Sequence, residues 1–273
     1  MAIRSISATI RNLNPKDFKE RSAKPEDCST LIDEDTIVTV DGRIVLVYIA
    51  KVDEDMREFV EALSRVNYLK SYRSNGLLST ARIFGYAPRN AVRNHPCRAA
   101  TLSAEQPTEN QVVQMFAEVA AKYYRQHNPE MAAEHDRLTV ENVRPEYRMG
   151  QTMFTSGIIN HNNPLRYHFD SGNYKNVWSA MFAFKKDIEG GYLALPELDM
   201  CLKCTSGSLT LFDGQSLIHG VTPIRKLSEN AVRYTVVFYS LKQMWNCELP
   251  KDEVSRIRQM RAEIELKKRN KKS

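Results

Sequence analysis

The 273-residue sequence has no apolar run long enough to cross a bilayer. Its longer runs, such as residues 44–50, fall far short of the roughly 18 residues a spanning helix needs. The opening stretch MAIRSISATIRNLN lacks the apolar core of a secretory signal. Cysteine is scarce: the count is five, an odd number, which argues against a disulfide framework and for a reducing compartment. Internal repeats and low-complexity linkers are missing too, and eleven glycines and eleven prolines exclude a collagen-like chain. Net charge is only +6, an excess that many ordinary enzymes share. What remains is globular: 42% hydrophobic and 26% charged residues suit a packed core, in one large domain or two small ones.

The elements read from the pattern change character along the chain. Residues 1–35 mix charges with few periodic apolar positions and read as a loosely packed lead-in. Residues 36–40 and 43–48 are β-branched runs joined by Asp41-Gly42, a strong hairpin signal. Residues 53–66 read as a helix, with Met56, Phe59, Val60, Leu63 and Val66 at spacings of three and four. A second helix spans 108–126, opened by a Thr108–Gln111 capping box, and a short one follows over 129–136. From residue 151 the pattern turns to short strands at 154–159, 177–184, 191–195, 208–212 and 232–240. Helices followed by many short strands predict an antiparallel sandwich with helices packed outside it. Residues 251–273 are helical in composition and basic.

The modest total charge hides an uneven distribution. Residues 67–104 contain six lysines or arginines and no acid, contributing +6; residues 250–273 contribute +5, and the remainder carries −5. Two concentrated basic regions on a slightly acidic body fit an anionic polymer as partner.

One constellation carries chemistry. His168 and Asp170 lie two apart in RYHFDSGN, so on an extended backbone both side chains point to one face. His219 follows 51 residues later in SLIHGV. Two histidines and one carboxylate form the facial triad of non-heme Fe(II) oxygenases, which leaves positions on the metal open for cosubstrate and O2. Arg233, 14 residues further on in AVRYTVVFYS, is a bidentate carboxylate binder on the next strand.

His-x-Asp, a distal His and then an Arg, in that order, resembles the 2-oxoglutarate- and Fe(II)-dependent dioxygenases, over about residues 140–245. GGYLALPEL (190–198), SGSLTLFDGQSLIHGVTPI (206–224), the HFDSGN loop and Asn160 in FTSGIIN are similar to segments of the TET/JBP-like nucleic-acid dioxygenases, as is the stretch 73–99. The resemblance implies an α+β fold: a double-stranded β-helix (cupin-like jelly roll) core with N-terminal helices packed on it and a basic C-terminal helix. It implies one dioxygenase domain over 1–249, with a helical and hairpin part over 1–140 and the jelly roll over 141–249, then a helix or tail over 250–273. It implies Fe(II) at His168, Asp170 and His219. It also implies 2-oxoglutarate at Arg233 with help from Thr235, O2 as the other cosubstrate, and a flipped DNA base near Asn160 and His161. Arg73, Arg82, Arg89, Arg93 and Arg98 become candidates for holding the opened strand, since base chemistry requires extrusion of the target nucleotide. Because Asp170 is present, hydroxylation is expected rather than halogenation.

The expected reaction is hydroxylation of the 5-methyl group of a pyrimidine in DNA, 5-methylcytosine first and thymine second, by a monomer with no membrane contact. Its expected place is the cytoplasm of a bacterial or virus-infected cell, or the nucleus of a eukaryote. Two alternatives stay open: the same chemistry on a small molecule or protein side chain, and a non-catalytic DNA-binding jelly roll. The arginines of 73–98 also fit a solvated face or internal ion pairs. Cys201 and Cys204 form a CxxC without the second pair that structural zinc usually has, so packing, zinc and redox readings all remain.

Overall fold

A computed structural model describes residues 3–19, 21–72, 78–90 and 95–270. Along the chain the strands begin with β1 (Arg4–Ser7), β2 (Thr30–Ile32), β3 (Thr36–Val40), β4 (Arg43–Ile49), β5 (Leu69–Tyr72), β6 (Leu78–Ala87) and β7 (Arg98–Ala99). They continue with β8 (Ser156–His161), β9 (Ser179–Lys186), β10 (Ile188–Gly190), β11 (Leu193–Leu195), β12 (Met200–Leu202), β13 (Ser208–Phe212), β14 (Gly220–Val221), β15 (Ile224–Lys226) and β16 (Val232–Tyr239). The helices are α1 (Pro15–Phe18), α2 (Arg57–Arg65), α3 (Thr101–Glu105), α4 (Pro107–His127), α5 (Pro129–Asn142) and α6 (Pro250–Asn270).

The first residues are not a loose lead-in. β1 pairs in parallel with β3, and β2 pairs in parallel with β12, so the N-terminal segment closes an edge of each of two sheets. Charged residues dilute the apolar period there because edge strands bury only part of one face. The Asp41-Gly42 hairpin forms as its chemistry dictates, with φ of 50° and 75° at the two turn residues.

The large sheet runs β1-β3-β4-β13-β9-β16-β8-β6-β5, with β7 paired to β6. A smaller sheet, β14-β11-β12-β2, faces it. Between them lies an apolar layer that includes Leu46, Met181, Leu193, Met200 and Leu202, so the two sheets form the expected jelly roll. β9 is buried on both faces: Phe182 and Phe184 point to the helices while Met181 and Ala183 point between the sheets. The helices α2 and α4 cover the outer face. There Phe59 stacks on Phe116 at 4.1 Å and meets Phe182 and Phe184 edge-on, each such pair adding about 0.5–1.5 kcal/mol beyond simple burial. No helix among the described residues is long and apolar enough to cross a membrane.

Three helix predictions change, the first of them at α2, which begins at Arg57 instead of residue 53. The Thr108–Gln111 capping box does not form; α4 starts one residue earlier, with Pro107 in its first turn and Gln106 at the N-cap. The Gln106 amide is engaged elsewhere, accepting from the Asn67 N–H and donating to the Arg65 carbonyl, which ties the end of α2 to the start of α4. α5 runs on to Asn142 instead of stopping near residue 136, because its second half is held from the side: Thr139 Oγ1 donates to the Met153 carbonyl.

The cysteine arithmetic also needs correction, since Cys97 and Cys247 form a disulfide across 150 residues. It joins the acid-free stretch to the segment before α6. The same junction holds Glu253, a carboxylate with no solvent exposure, which accepts from Arg89 Nε at 2.8 Å and from the N–H groups of Cys97 and Glu248. Burial pushes the Glu253 carboxyl up, but the Arg89 and backbone hydrogen bonds outweigh it and leave its pKa below the ordinary value. A carboxylate with a lowered folded-state pKa contributes stability above its unfolded pKa and loses it as the pH falls through the folded one. Glu253→Gln is therefore expected to destabilise the protein by roughly 2–3 kcal/mol at pH 7. In urea melts the gap to wild type should shrink as the pH drops below the carboxylate range; a gap that does not change with pH would refute this account.

Candidate active site

The metal-ligand candidates meet where two loops are stitched together. His168 and His219 form an isolated antiparallel bridge, exchanging backbone hydrogen bonds of 2.9 and 3.1 Å. The Asp170 N–H donates to the Gly214 carbonyl at 2.8 Å. His168 lies on this bridge rather than on a longer strand, yet the backbone is extended enough to aim His168 and Asp170 the same way. Their Nε2 and Oδ1 are 3.7 Å apart, and His219 Nε2 is 3.8 Å from the same oxygen. The ligand atoms of all three residues lie within 4.8 Å of one another.

Each imidazole is oriented by the chain itself. His168 Nδ1 meets the Arg166 carbonyl at 2.7 Å and His219 Nδ1 meets the Leu217 carbonyl at 2.9 Å. A carbonyl only accepts, so each Nδ1 carries a proton and each ring turns its Nε2, the atom left for a metal, toward the shared space. The donor set therefore suits a divalent iron: two imidazole nitrogens and one carboxylate, bunched on one side. Gly214 makes the approach possible, because a Cβ there would sit 2.5 Å from Asp170 Oδ2 and 3.2 Å from His219 Cε1. Behind His219, the Glu197 carboxylate accepts from the Ile218 N–H at 2.7 Å; burial raises its pKa, against the opposing pull of that hydrogen bond.

The triad lines a cavity of about 260 Å³ that opens between the sheets. Its walls include Asn160 from β8, Met181 from β9, Leu193 from β11, Phe212 at the end of β13 and Thr235 from β16. Thr235 is in register with Asn160, so the two side chains stand beside each other on the inner face. Arg233 precedes Thr235 by two residues and shares that face. It is 1% exposed, and its Nε and Nη2 have no hydrogen-bond partner among the described residues. A buried guanidinium with unmet donors is costly on its own, and a carboxylate is the group that its planar fork matches.

The remaining predicted contacts divide. Asn160 lines the cavity as expected. His161, its neighbour in β8, does not: it points to the opposite face, stacked against Tyr68 and Tyr234, because adjacent strand residues alternate sides. Arg82 is buried and ion-paired with Glu105, and Arg89, about a quarter exposed (25%), is held by Glu253 and Glu248, so both already have acidic partners within the protein. Arg98 is exposed on β7. Arg73 and Arg93 lie outside the described residues. Sequence reasoning did not single out Gly214, Glu197 or Leu241, although Gly214 lies in the quoted FDGQSLIHG. Leu241 reaches the cavity because Asn173 bridges it and the Lys242 N–H donates to the Gly172 carbonyl.

A jelly roll with two imidazoles and a carboxylate at its mouth and a buried arginine beside it defines an iron- and 2-oxoglutarate-dependent oxygenase. The chemistry of this class uses Fe(II), 2-oxoglutarate and O2. The model of the Tet_JBP family, the oxygenase domain of the 2OGFeDO superfamily, matches residues 83–242, and the chain belongs to that family. It is 26% identical over 204 residues to the bifunctional helicase and thymine dioxygenase JBP2 of Leishmania tarentolae, covering 72% of this chain and 18% of that protein. The JBP2 of Trypanosoma brucei brucei is 29% identical over 110 residues, covering 40% of this chain and 10% of that protein. The chain thus spans less than a fifth of the length of these curated relatives. Among solved structures, NgTET1 in complex with 5mC DNA superposes with a TM-score of 0.63 at 15% identity, covering 89% of this chain and 92% of that one.

Proposed function

We propose that this chain hydroxylates the 5-methyl group of a pyrimidine base in DNA, with 5-methylcytosine as the first substrate and thymine as the second. The observation that carries the reading is the convergence of His168, Asp170 and His219 on one cavity lined also by Thr235, with the buried Arg233, whose Nε and Nη2 have no hydrogen-bond partner among the described residues, two residues before Thr235 on the same strand face. Supporting the substrate are the relatives, one described as a thymine dioxygenase and the other solved with 5mC DNA.

In this reading His168, Asp170 and His219 hold Fe(II), which with 2-oxoglutarate and O2 supplies the oxidising power for hydroxylation. Arg233 and Thr235 grip the far carboxylate of 2-oxoglutarate by charge and hydroxyl donation, fixing its reactive end toward the triad. Asn160, beside Thr235 on the inner face, presents an amide to the edge of the extruded base. The apolar walls given by Met181, Leu193 and Phe212 exclude water from the reacting methyl group. The enzyme acts as a monomer and takes one nucleotide out of the stack per turnover.

The test is incubation with duplex DNA carrying 5-methylcytosine or only thymine, with Fe(II) and 2-oxoglutarate, followed by nucleoside mass spectrometry. 5-Hydroxymethylcytosine is the expected product. 5-Hydroxymethyluracil alone would reverse the order of substrates, and the absence of any oxidised pyrimidine would remove DNA as the substrate.

A further inference from the structure

The loop that carries His168 and Asp170 has a second side. Phe169 stands between the two ligands, so on extended backbone its ring turns away from the triad. With Ser171, Lys175, Asn176, Gln215 and Ser216 it lines an open cleft of about 480 Å³. Ser171 belongs to the walls of both the cleft and the triad cavity, so one begins where the other ends. The cleft falls within the roughly 300–1,000 Å³ typical of ligand sites.

The cleft is made of the two loops that hold the metal ligands, and those loops are stitched together. Besides the Asp170 N–H bond to the Gly214 carbonyl, Gln215 Nε2 donates to the Asn173 carbonyl at 2.8 Å. The carboxylate beside them is already engaged: Asp213 accepts from the Gln215 N–H at 2.9 Å, the Ser216 N–H at 3.2 Å and the Ser216 hydroxyl at 2.6 Å. Asn176 has φ of +58°, a region that asparagine adopts more readily than most residues, and it turns the chain toward β9. Val177 and Trp178 then enter the core while Lys175 and Asn176 stay exposed. Three donors of the cleft are left uncommitted. The Ser171 hydroxyl, the Lys175 ammonium and the Asn176 amide make no hydrogen bond or ion pair with other described residues. Phe169 is half-buried and packs against the apolar cluster that includes Tyr167 and Ile218.

Three free donors, one of them cationic, beside an apolar ring and an already engaged carboxylate, match a phosphodiester and its sugar. A base held at the triad is joined through a phosphate to a neighbour on each side, and that backbone leaves the cavity across its mouth. We propose that the cleft holds the phosphate and deoxyribose next to the target nucleotide, with Lys175, Ser171 and Asn176 on the phosphate and the Phe169 ring against the sugar. This rests on the reading of DNA as the substrate. Contacts of this kind fix the register of a strand and carry no base information, so the subsite sets the extruded nucleotide against the triad whatever its flanking sequence.

The experiment measures binding of the iron-loaded protein to duplex DNA carrying a single 5-methylcytosine, without O2 so that nothing turns over, across a series of salt concentrations. Lys175→Ala is expected to weaken binding about fivefold at low salt, equally for every flanking base, and to reduce the slope of log K against log salt by about one. Lys175→Arg, which keeps the charge, should restore both. Each neighbouring phosphate is then neutralised in turn with a methylphosphonate. At one of the two positions this is expected to reproduce the loss in wild type and to cost Lys175→Ala nothing further. Affinity within twofold of wild type with an unchanged slope overturns the proposal. So does a methylphosphonate penalty that is the same in wild type and Lys175→Ala at both positions, which would put Lys175 on a more distant phosphate. If wild type itself binds no duplex DNA at low salt, the DNA reading fails and the subsite falls with it.

Discussion

Asp170→Ala is expected to abolish oxidation of the substrate and to leave the fold intact. Asp170 Oδ1 is the atom that both histidine Nε2 atoms approach, at 3.7 and 3.8 Å, so its loss opens the donor set in the middle. Changing groups that only orient metal ligands typically costs about 10–100-fold, so loss of a ligand should exceed about a hundredfold in turnover. The side chain is about a quarter exposed (27%), and the Asp170 N–H bond to Gly214 is made by backbone, so the loop keeps its shape without the carboxylate. The checks are iron affinity, which should fall together with turnover, and the thermal midpoint, which should not move. Turnover within tenfold of wild type would remove Asp170 from the metal site. His168→Ala should behave alike, since its Nε2 is aimed by the Arg166 carbonyl and alanine puts nothing in its place.

The second large effect is expected at Arg233. Charge-assisted hydrogen bonds contribute about 1.5–3 kcal/mol each, so losing a two-pronged grip on a carboxylate should weaken 2-oxoglutarate by at least about a hundredfold. Arg233→Lys should recover only part of this, because an ammonium offers charge without the planar fork. Iron affinity should stay unchanged, which distinguishes this variant from Asp170→Ala. The alanine variant also removes a buried cation whose burial lowers its pKa, so thermal stability should be kept or rise. A 2-oxoglutarate affinity within threefold of wild type would refute the assignment.

Much of this was legible in the sequence, and for local reasons. The β3–β4 hairpin follows from Asp41-Gly42, and α4 from its apolar stripe, because both are specified within a few residues. The triad was readable because side-chain direction on extended backbone is fixed by spacing, and Arg233 and Thr235 inherit a common face from the same rule. What the sequence did not disclose depends on long-range pairing. The Cys97–Cys247 bond, the Arg89–Glu253 pair and the parallel joins of β1 and β2 each connect residues whose neighbours give no hint of the partner. The charge count shows the same limit: it left both an anionic partner and internal ion pairs open for the six cations of 67–104, and only the fold shows that Arg82 and Arg89 find their acids at Glu105 and Glu253. The alternation that placed Asn160 in the cavity also turned His161 out of it.

The parallel pairing of β2 with β12 bears on the order in which the protein is made. Thr30, Leu31 and Ile32 leave the ribosome long before their partners Met200, Cys201 and Leu202 are translated. At about 5–20 residues per second the wait is roughly 10–30 s. Throughout that time the segment has no sheet to join, while the β3–β4 hairpin beside it can already form. The smaller sheet, and with it the wall that carries Leu193 toward the cavity, therefore closes only when residues 193–221 return to the much earlier 30–32.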